Sequence, residues 1–332
     1  MIMKKQMKKM VAGVLVGLMA LGAAGCGSKA NDAGTPAAAD AGQQTAALDQ
    51  VAVTYVKAPL NVPSIIEKDK GMLAKNFGAD TKVVYSDLTT GPEQTQALAS
   101  GDIQFLNAVG ATSVILSASN GADIKIISMY SRSPKAFELF TNDPTITSAA
   151  DLAGKKIAGP KGTILHELLV AYLATADLTQ DDVEFVDMSI PNSQAALESG
   201  DVDCALLAGP TAYNQEKGGK IVLTTGEGLV DATICVAASQ KFIDEHPEAV
   251  ETFLKTQKEV LDYMAANEAE IMDITAKEVD LTPEEVQDMY GQYDFDMTIK
   301  DSDIKALKQT EQFLFDNQMI ENRVDVEQLI WK

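Results

Sequence analysis

Permanent positive charge is scarce in this chain. Among 332 residues there are two arginines, Arg132 and Arg323, and two histidines, His166 and His246. Any anion site must therefore lean on backbone N–H groups, on lysines or on Arg132. His166 lies in "HELLV", which lacks the second histidine of a zinc-protease helix, and no group of His and Cys has metal-ligand spacing. Tryptophan occurs once, as Trp331, so an aromatic sandwich for a flat heterocycle would need tyrosine and phenylalanine. No G-x-x-x-x-G-K-[ST], dinucleotide fingerprint or nucleophile elbow occurs, and no cofactor is implied. Lys and Arg total 27 against 48 Asp and Glu, for a net charge of −21. Without Lys4, Lys5, Lys8 and Lys9 the net charge is −25, and such a surface repels nucleic acid.

Those four lysines head a leader. Val11 to Leu21 is an apolar core too short to span a bilayer, and Ala23-Ala24-Gly25 closes it with small residues before Cys26. This reads as a signal peptide over 1–25. The cysteine behind small residues resembles a bacterial lipobox, which implies lipidation of Cys26. Residues 26–50 then read as a tether, because Ala, Gly, Ser, Thr and Gln cannot bury enough surface to fold. The other two cysteines, Cys204 and Cys235, sit in apolar strand-like runs and read as buried free thiols.

From Val51 onward strands and helices alternate, which predicts an α/β fold with largely parallel sheets. The length suggests two domains or lobes. "ALASGDIQFLNAVG" (97–110) and "ALESGDVDCALLAG" (196–209) align without gaps at a spacing of 99 residues. Each reads as a helix end, a Ser-Gly-Asp turn, a buried strand and a glycine opening the next helix. Two such units, one per half, point to two similar lobes. Beyond "DATICVAAS" (231–239) the pattern becomes helical. One helix is expected through 246–271, and no strand remains for a further sheet.

"IAGPKGTILHELL" (157–169) raises the sharpest question. Glycines and a lysine ahead of an apolar helix suggest a phosphate loop, but the Lys-Ser/Thr pairing is missing. What remains is a glycine-opened helix start, rich in free N–H groups. Thr89-Thr90-Gly91, Gly110-Ala111-Thr112, Gly162-Thr163-Ile164 and Gly209-Pro210-Thr211 share that layout, each following a strand.

"TTGPEQTQALASGDIQFLNAVGAT", "DLAGKKIAGPKGTILHELL", "ALESGDVDCALLAGP" and "DVEQLI", in this order, are similar to the substrate-binding proteins of ABC importers for nitrate, taurine and aliphatic sulfonates. That group belongs to the broader family of thiamine-pyrimidine-synthesis-like domains. The resemblance covers nearly all of 51–332. It implies a periplasmic-binding-protein-like fold of type II, with two Rossmann-like lobes joined by two crossing strands, matched here by "AFELFTN" and "DATICVA". Lobe one is then 51–138 plus 242–332, and lobe two 139–241. The expected cleft residues are Tyr55, Pro59, Asn61, Thr89, Thr90, Gly91, Asn107, Gly110, Ala111, Thr112, Arg132, Lys161, Gly162, Thr163, Ile164, Asn192, Gly209 and Pro210. Asp87 or Asp231 would balance an amine. His166 fits helix packing or a cleft wall.

The resemblance implies a monomeric, lipid-anchored receptor that passes a small anionic or zwitterionic solute to an ABC permease and its ATPase. Two alternatives stay open. One is a binding protein for a thiamine-pyrimidine precursor or another small heterocycle, and the other is an enzyme of the thiamine-pyrimidine synthase type. A sensory lipoprotein is a weaker third reading, with no extra domain to support it.

Overall fold

The computed structural model describes residues 48–332; the leader, Cys26 and most of the tether lie outside the described residues. Ten strands run in chain order: β1 (Gln50–Thr54), β2 (Lys82–Ser86), β3 (Leu106–Gly110), β4 (Lys125–Arg132), β5 (Phe137–Thr141), β6 (Lys156–Gly159), β7 (Glu184–Asp187), β8 (Cys204–Ala208), β9 (Ile221–Thr225) and β10 (Thr233–Ala238). The helices of the strand-bearing part are α1 (Val62–Asp69), α2 (Met72–Phe77), α3 (Gly91–Ser100), α4 (Ala111–Ser119), α5 (Ile164–Ala174), α6 (Ile190–Ser199) and α7 (Gly209–Lys217). After β10 come α8 (Gln240–Glu245), α9 (Pro247–Ala266), α10 (Glu268–Val279), α11 (Pro283–Tyr290), α12 (Asp301–Asp316) and α13 (Val326–Leu329).

The strands form two sheets of the same order. In the first, β2 pairs in parallel with β1, a single bridge from Val53 to Phe105 ties β1 to the entry of β3, and β3, β10 and β4 follow. The second runs β7-β6-β8-β5-β9. Each sheet has one antiparallel member between its last two neighbours: β10 against β3 and β4, and β5 against β8 and β9. Those two strands each follow a crossing of the chain from one sheet to the other, through 133–136 and 226–232. The crossings lie together: the Ser133 N–H reaches Ala232 O, and the Gly226 N–H reaches Phe137 O at 2.9 Å.

The internal echo holds down to single hydrogen bonds. The Asp102 N–H donates to Ala97 O at 3.1 Å, and the Asp201 N–H to Ala196 O at 2.9 Å. Ser100 Oγ and Ser199 Oγ each donate to the aspartate two residues on, both at 2.7 Å. The glycines between them close α3 and α6 as the turn chemistry requires. The strands that follow, β3 and β8, occupy the same position in their sheets.

Strand β1 shows how the first sheet is covered. Its side chains alternate, so Val51 and Val53 pack with Ile66 and Phe253 on one face while Ala52 packs with Leu98 and Leu314 on the other. Phe253 of α9 stacks on Phe105 at 4.1 Å between ring centres. Burying such a ring contributes about 2–3 kcal/mol.

Two expectations are corrected. The helix expected through 246–271 breaks at Asn267, whose Nδ2 folds back onto Tyr263 O at 2.8 Å. The C-terminal part is not purely helical either. Residues 294–297 lie extended beside β4, with the Met129 N–H on Met297 O and paired bonds between Arg132 and Asp294. Cys204 and Cys235 are free and buried.

Candidate functional site

The cleft lies where the two sheets present the carboxyl ends of their parallel strands, the position at which helices begin. Two adjoining cavities, of about 80 and 190 Å³, share Val56, Ala58, Thr89, Pro160 and Ile190 in their walls. The walls come in matched pairs. The loop after β1 (Val56, Ala58, Pro59) faces the loop after β6 (Pro160, Thr163). The start of α3 (Thr89, Gly91, Gln94) has its counterpart in the start of α6 (Ile190, Pro191). The start of α4 (Gly110, Ser113) is matched by that of α7 (Ala208, Thr211).

Helices α4, α5, α6 and α7 begin without any side-chain cap, so their first-turn N–H groups keep no partner within the helix. Helix α3 differs. Thr90 and Glu93 form a reciprocal capping box, the Glu93 N–H on Thr90 Oγ1 and the Thr90 N–H on Glu93 Oε2 at 3.1 Å. At α5, Thr163 Oγ1 donates to Pro160 O at 2.8 Å and does not cap. The Gly162 N–H goes to His166 Nδ1 at 3.3 Å, and the donors left there belong to Thr163, Ile164, Leu165 and His166.

The two walls touch. Ser113 Oγ donates to Gly162 O at 2.7 Å, and Thr112 Oγ1 donates to Glu167 Oε2. Gly209, at φ +62°, lies so close that a Cβ there would stand 1.6 Å from Pro59 O. Glu167 is buried, and among the described residues no cation pairs with it. Burial pushes its carboxyl up to about 7, the Thr112 and Thr310 hydroxyls pull it down, and Asp231 adds to the rise. His166 stacks on Phe185 at 4.7 Å, and burial, then Lys161, lowers its imidazole to about 4, so it stays neutral.

Of the residues expected from the sequence, Pro59, Thr89, Thr90, Gly91, Gly110, Thr163 and Ile164 line the two cavities. Thr112, Gly162 and Gly209 form the contact between the walls. Ala111 is buried in the first turn of α4, and Pro210 lies in the first turn of α7 beside Thr211. Lys161 and Asn192 are exposed, and the Lys161 N–H donates to Asp187 Oδ1 at 2.9 Å. A carboxylate at that loop repels phosphate.

Four expected residues face elsewhere. Arg132 grips both oxygens of Asp303 at 2.6 Å, Asp296 O at 2.7 Å and Thr298 O at 2.9 Å. It lines a separate cavity of about 440 Å³ beside the crossings, as does Asp231. Tyr55 turns outward to Glu278 at 2.9 Å under Lys68. Asn61 Nδ2 donates to the carbonyls of Val56 and Ala58, shaping the loop after β1. Asn107 is fully buried in β3, where its N–H takes Thr54 Oγ1 at 2.7 Å. Residues missed from the sequence include Gln94, Ser113, Phe137, Ile190 and Glu167. The first two stand three residues past Gly91 and Gly110, a helical spacing that could have found them.

Comparisons with known proteins agree with this geometry. The profile of the family described as NMT1/THI5 like matches residues 65–271. A protein of Escherichia coli (strain K12) named for binding aliphatic sulfonates is 26% identical over 286 residues, 84% of this chain and 88% of its own length. The taurine-binding periplasmic protein of the same organism is 32% identical over 198 residues, 58% of this chain and 60% of its own. The alkanesulfonate-binding protein SsuA from Xanthomonas axonopodis pv. citri, solved bound to MOPS, superposes with a TM-score of 0.78 at 24% identity, over 85% of this chain and 98% of that one. The fold is therefore the periplasmic-binding-protein fold. The desulfurization enzyme DszB shares it at a TM-score of 0.64 and 16% identity, over 85% of this chain and 96% of that one.

Proposed function

The chain belongs to the NMT1/THI5 like family, and from that premise we propose that it is an extracytoplasmic solute-binding protein of an ABC importer. Its lobes, 51–138 plus 242–332 and 139–241, close on a small anionic or zwitterionic solute of the sulfonate or taurine type. The protein then hands the solute to a permease driven by an ATPase, while a lipid on Cys26 holds it at the membrane.

One observation carries the reading. Four uncapped helix starts, α4 to α7, converge on a cavity whose inner part has no lysine or arginine in its wall. Backbone N–H groups and helix dipoles bind a compact anion there without a cation. The names of the relatives support the same class of solute. The heterocycle alternative is less favoured, because Phe137 is the single aromatic side chain in the inner cavity wall and a sandwich needs two. As for turnover, burial pushes both Cys204 and Cys235 up to about 12, so neither offers a thiolate.

Native mass spectrometry followed by a thermal-shift screen of 2-aminoethanesulfonate, alkanesulfonates, nitrate and a pyrimidine tests this. A solute at fifty times its dissociation constant raises stability by about 2.3 kcal/mol. A melting temperature moved by the pyrimidine and by none of the anions would reverse the choice of solute.

A further inference from the structure

The donors of the cleft are not spread evenly. Helices α4 to α7 offer free N–H groups, whereas at α3 the capping box takes the Thr90 and Glu93 N–H groups and Pro92 has none, so Gly91 alone keeps a first-turn donor. Gln94, one residue beyond that box, lines the inner cavity and is 3% exposed. Its Nε2 donates to Leu88 O at 3.2 Å. A carbonyl oxygen only accepts, so the amide must keep its NH₂ on that side. This leaves Gln94 Oε1 buried, with no hydrogen-bond partner among the described residues.

The neighbouring hydroxyls do not answer it. Ser113 gives its proton to Gly162 O and Thr163 gives its proton to Pro160 O. The α3 side of the cleft thus presents an acceptor, and Asp87 on the same β2–α3 loop adds a carboxylate to the adjoining cavity. A bare anion cannot satisfy Gln94 Oε1.

Resting on the solute reading above, we propose that Gln94 is a specificity residue, and that the solute carries a hydrogen-bond donor, an ammonium or hydroxyl, beside its anionic group. The anion sits at the helix starts of α4 to α7, and the donor faces Gln94 Oε1. A solute without the donor leaves the oxygen buried and unpaired, which weakens binding by about ten- to a hundredfold.

The test is calorimetric titration of the purified protein with three probes that share a two-carbon sulfonate skeleton: 2-aminoethanesulfonate, 2-hydroxyethanesulfonate and ethanesulfonate. The wild type should bind the first two about tenfold or more tighter than the third. In Gln94→Leu that ratio should fall to near one, with Gln94→Met as the second variant should the first fail to fold. Ethanesulfonate binding the wild type as tightly as the other two overturns the inference and leaves the solute reading standing. A ratio unchanged in a folded variant does the same. Failure of all three probes to bind overturns the solute reading, and the role of Gln94 with it.

Discussion

Arg132 shows how a single residue can carry a strong but misleading signal. In a chain with two arginines, one just past a strand near the crossings is an obvious candidate to clamp an anion. Four of its five donors instead secure the C-terminal segment to β4 through Asp303, Asp296 and Thr298. Asp303 is 3% exposed, so removing the guanidinium strands a carboxylate that the ion pair holds below its ordinary range against burial. Arg132→Ala should therefore cost roughly 2–3 kcal/mol of folding stability. The shift in melting temperature on adding solute should stay as in the wild type. Thermal denaturation with and without 2-aminoethanesulfonate separates the two roles, because a ligand clamp would lose the solute-induced shift. No sequence pattern distinguishes these roles, since the partner lies 171 positions away. Tyr55 and Asn61 were misplaced for a related reason: chain position put them in the right loop, and side-chain direction turned them away from the cavity.

At the scale of elements the sequence was far more legible. The alternation of strands and helices expected from Val51 onward is there, because buried parallel strands read as continuous apolar runs bounded by turn residues. The helix starts of the cleft were legible too, since glycine and threonine after a strand have few other uses. What was not legible is which starts are capped and what joins them across the cleft. Glu167 carries no signal of its own in the sequence, yet it bonds Thr112 and packs near Thr310 of α12, facing Asp231 of the second crossing, with Lys305 of α12 in turn near Asp231. Its carboxyl stands near 7 when the walls are in contact and would return to about 4.3 when solvated. The contact state therefore holds the extra proton. Its added stability is full below about pH 4.3 and is lost as pH rises through 7. Solute affinity should rise on going from pH 8 to pH 5.5, with proton uptake on binding. Glu167→Gln should flatten that profile. Titrations in buffers of different ionisation enthalpy read the uptake directly; an equal pH dependence in the variant would remove Glu167 from the linkage.

For the whole molecule, the gapless echo between 97–110 and 196–209 pointed to two similar lobes, and the fold has two sheets of one order. It could not foretell how closely the halves approach, because that depends on backbone against backbone. Gly209 against Pro59 is one such point. Gly209 holds a left-handed φ of +62°, and any side chain there would drive into the Pro59 carbonyl. The Gly209→Ala protein should fold, since the two-lobe reading proposed above lets the lobes part by a small rotation at the crossings, with a strain of about 1 kcal/mol at the residue itself. It should not reach the contact state, so the Thr112–Glu167 and Ser113–Gly162 bonds do not form. The solute then meets one wall at a time, and affinity should fall at least tenfold, about 1.4 kcal/mol. Small-angle scattering gives the independent readout. The wild type should contract when 2-aminoethanesulfonate is added, and Gly209→Ala should keep the same radius of gyration with or without it. Weakened binding alone would show as contraction restored at higher solute concentration. A radius that stays fixed up to saturation assigns the loss to blocked closure.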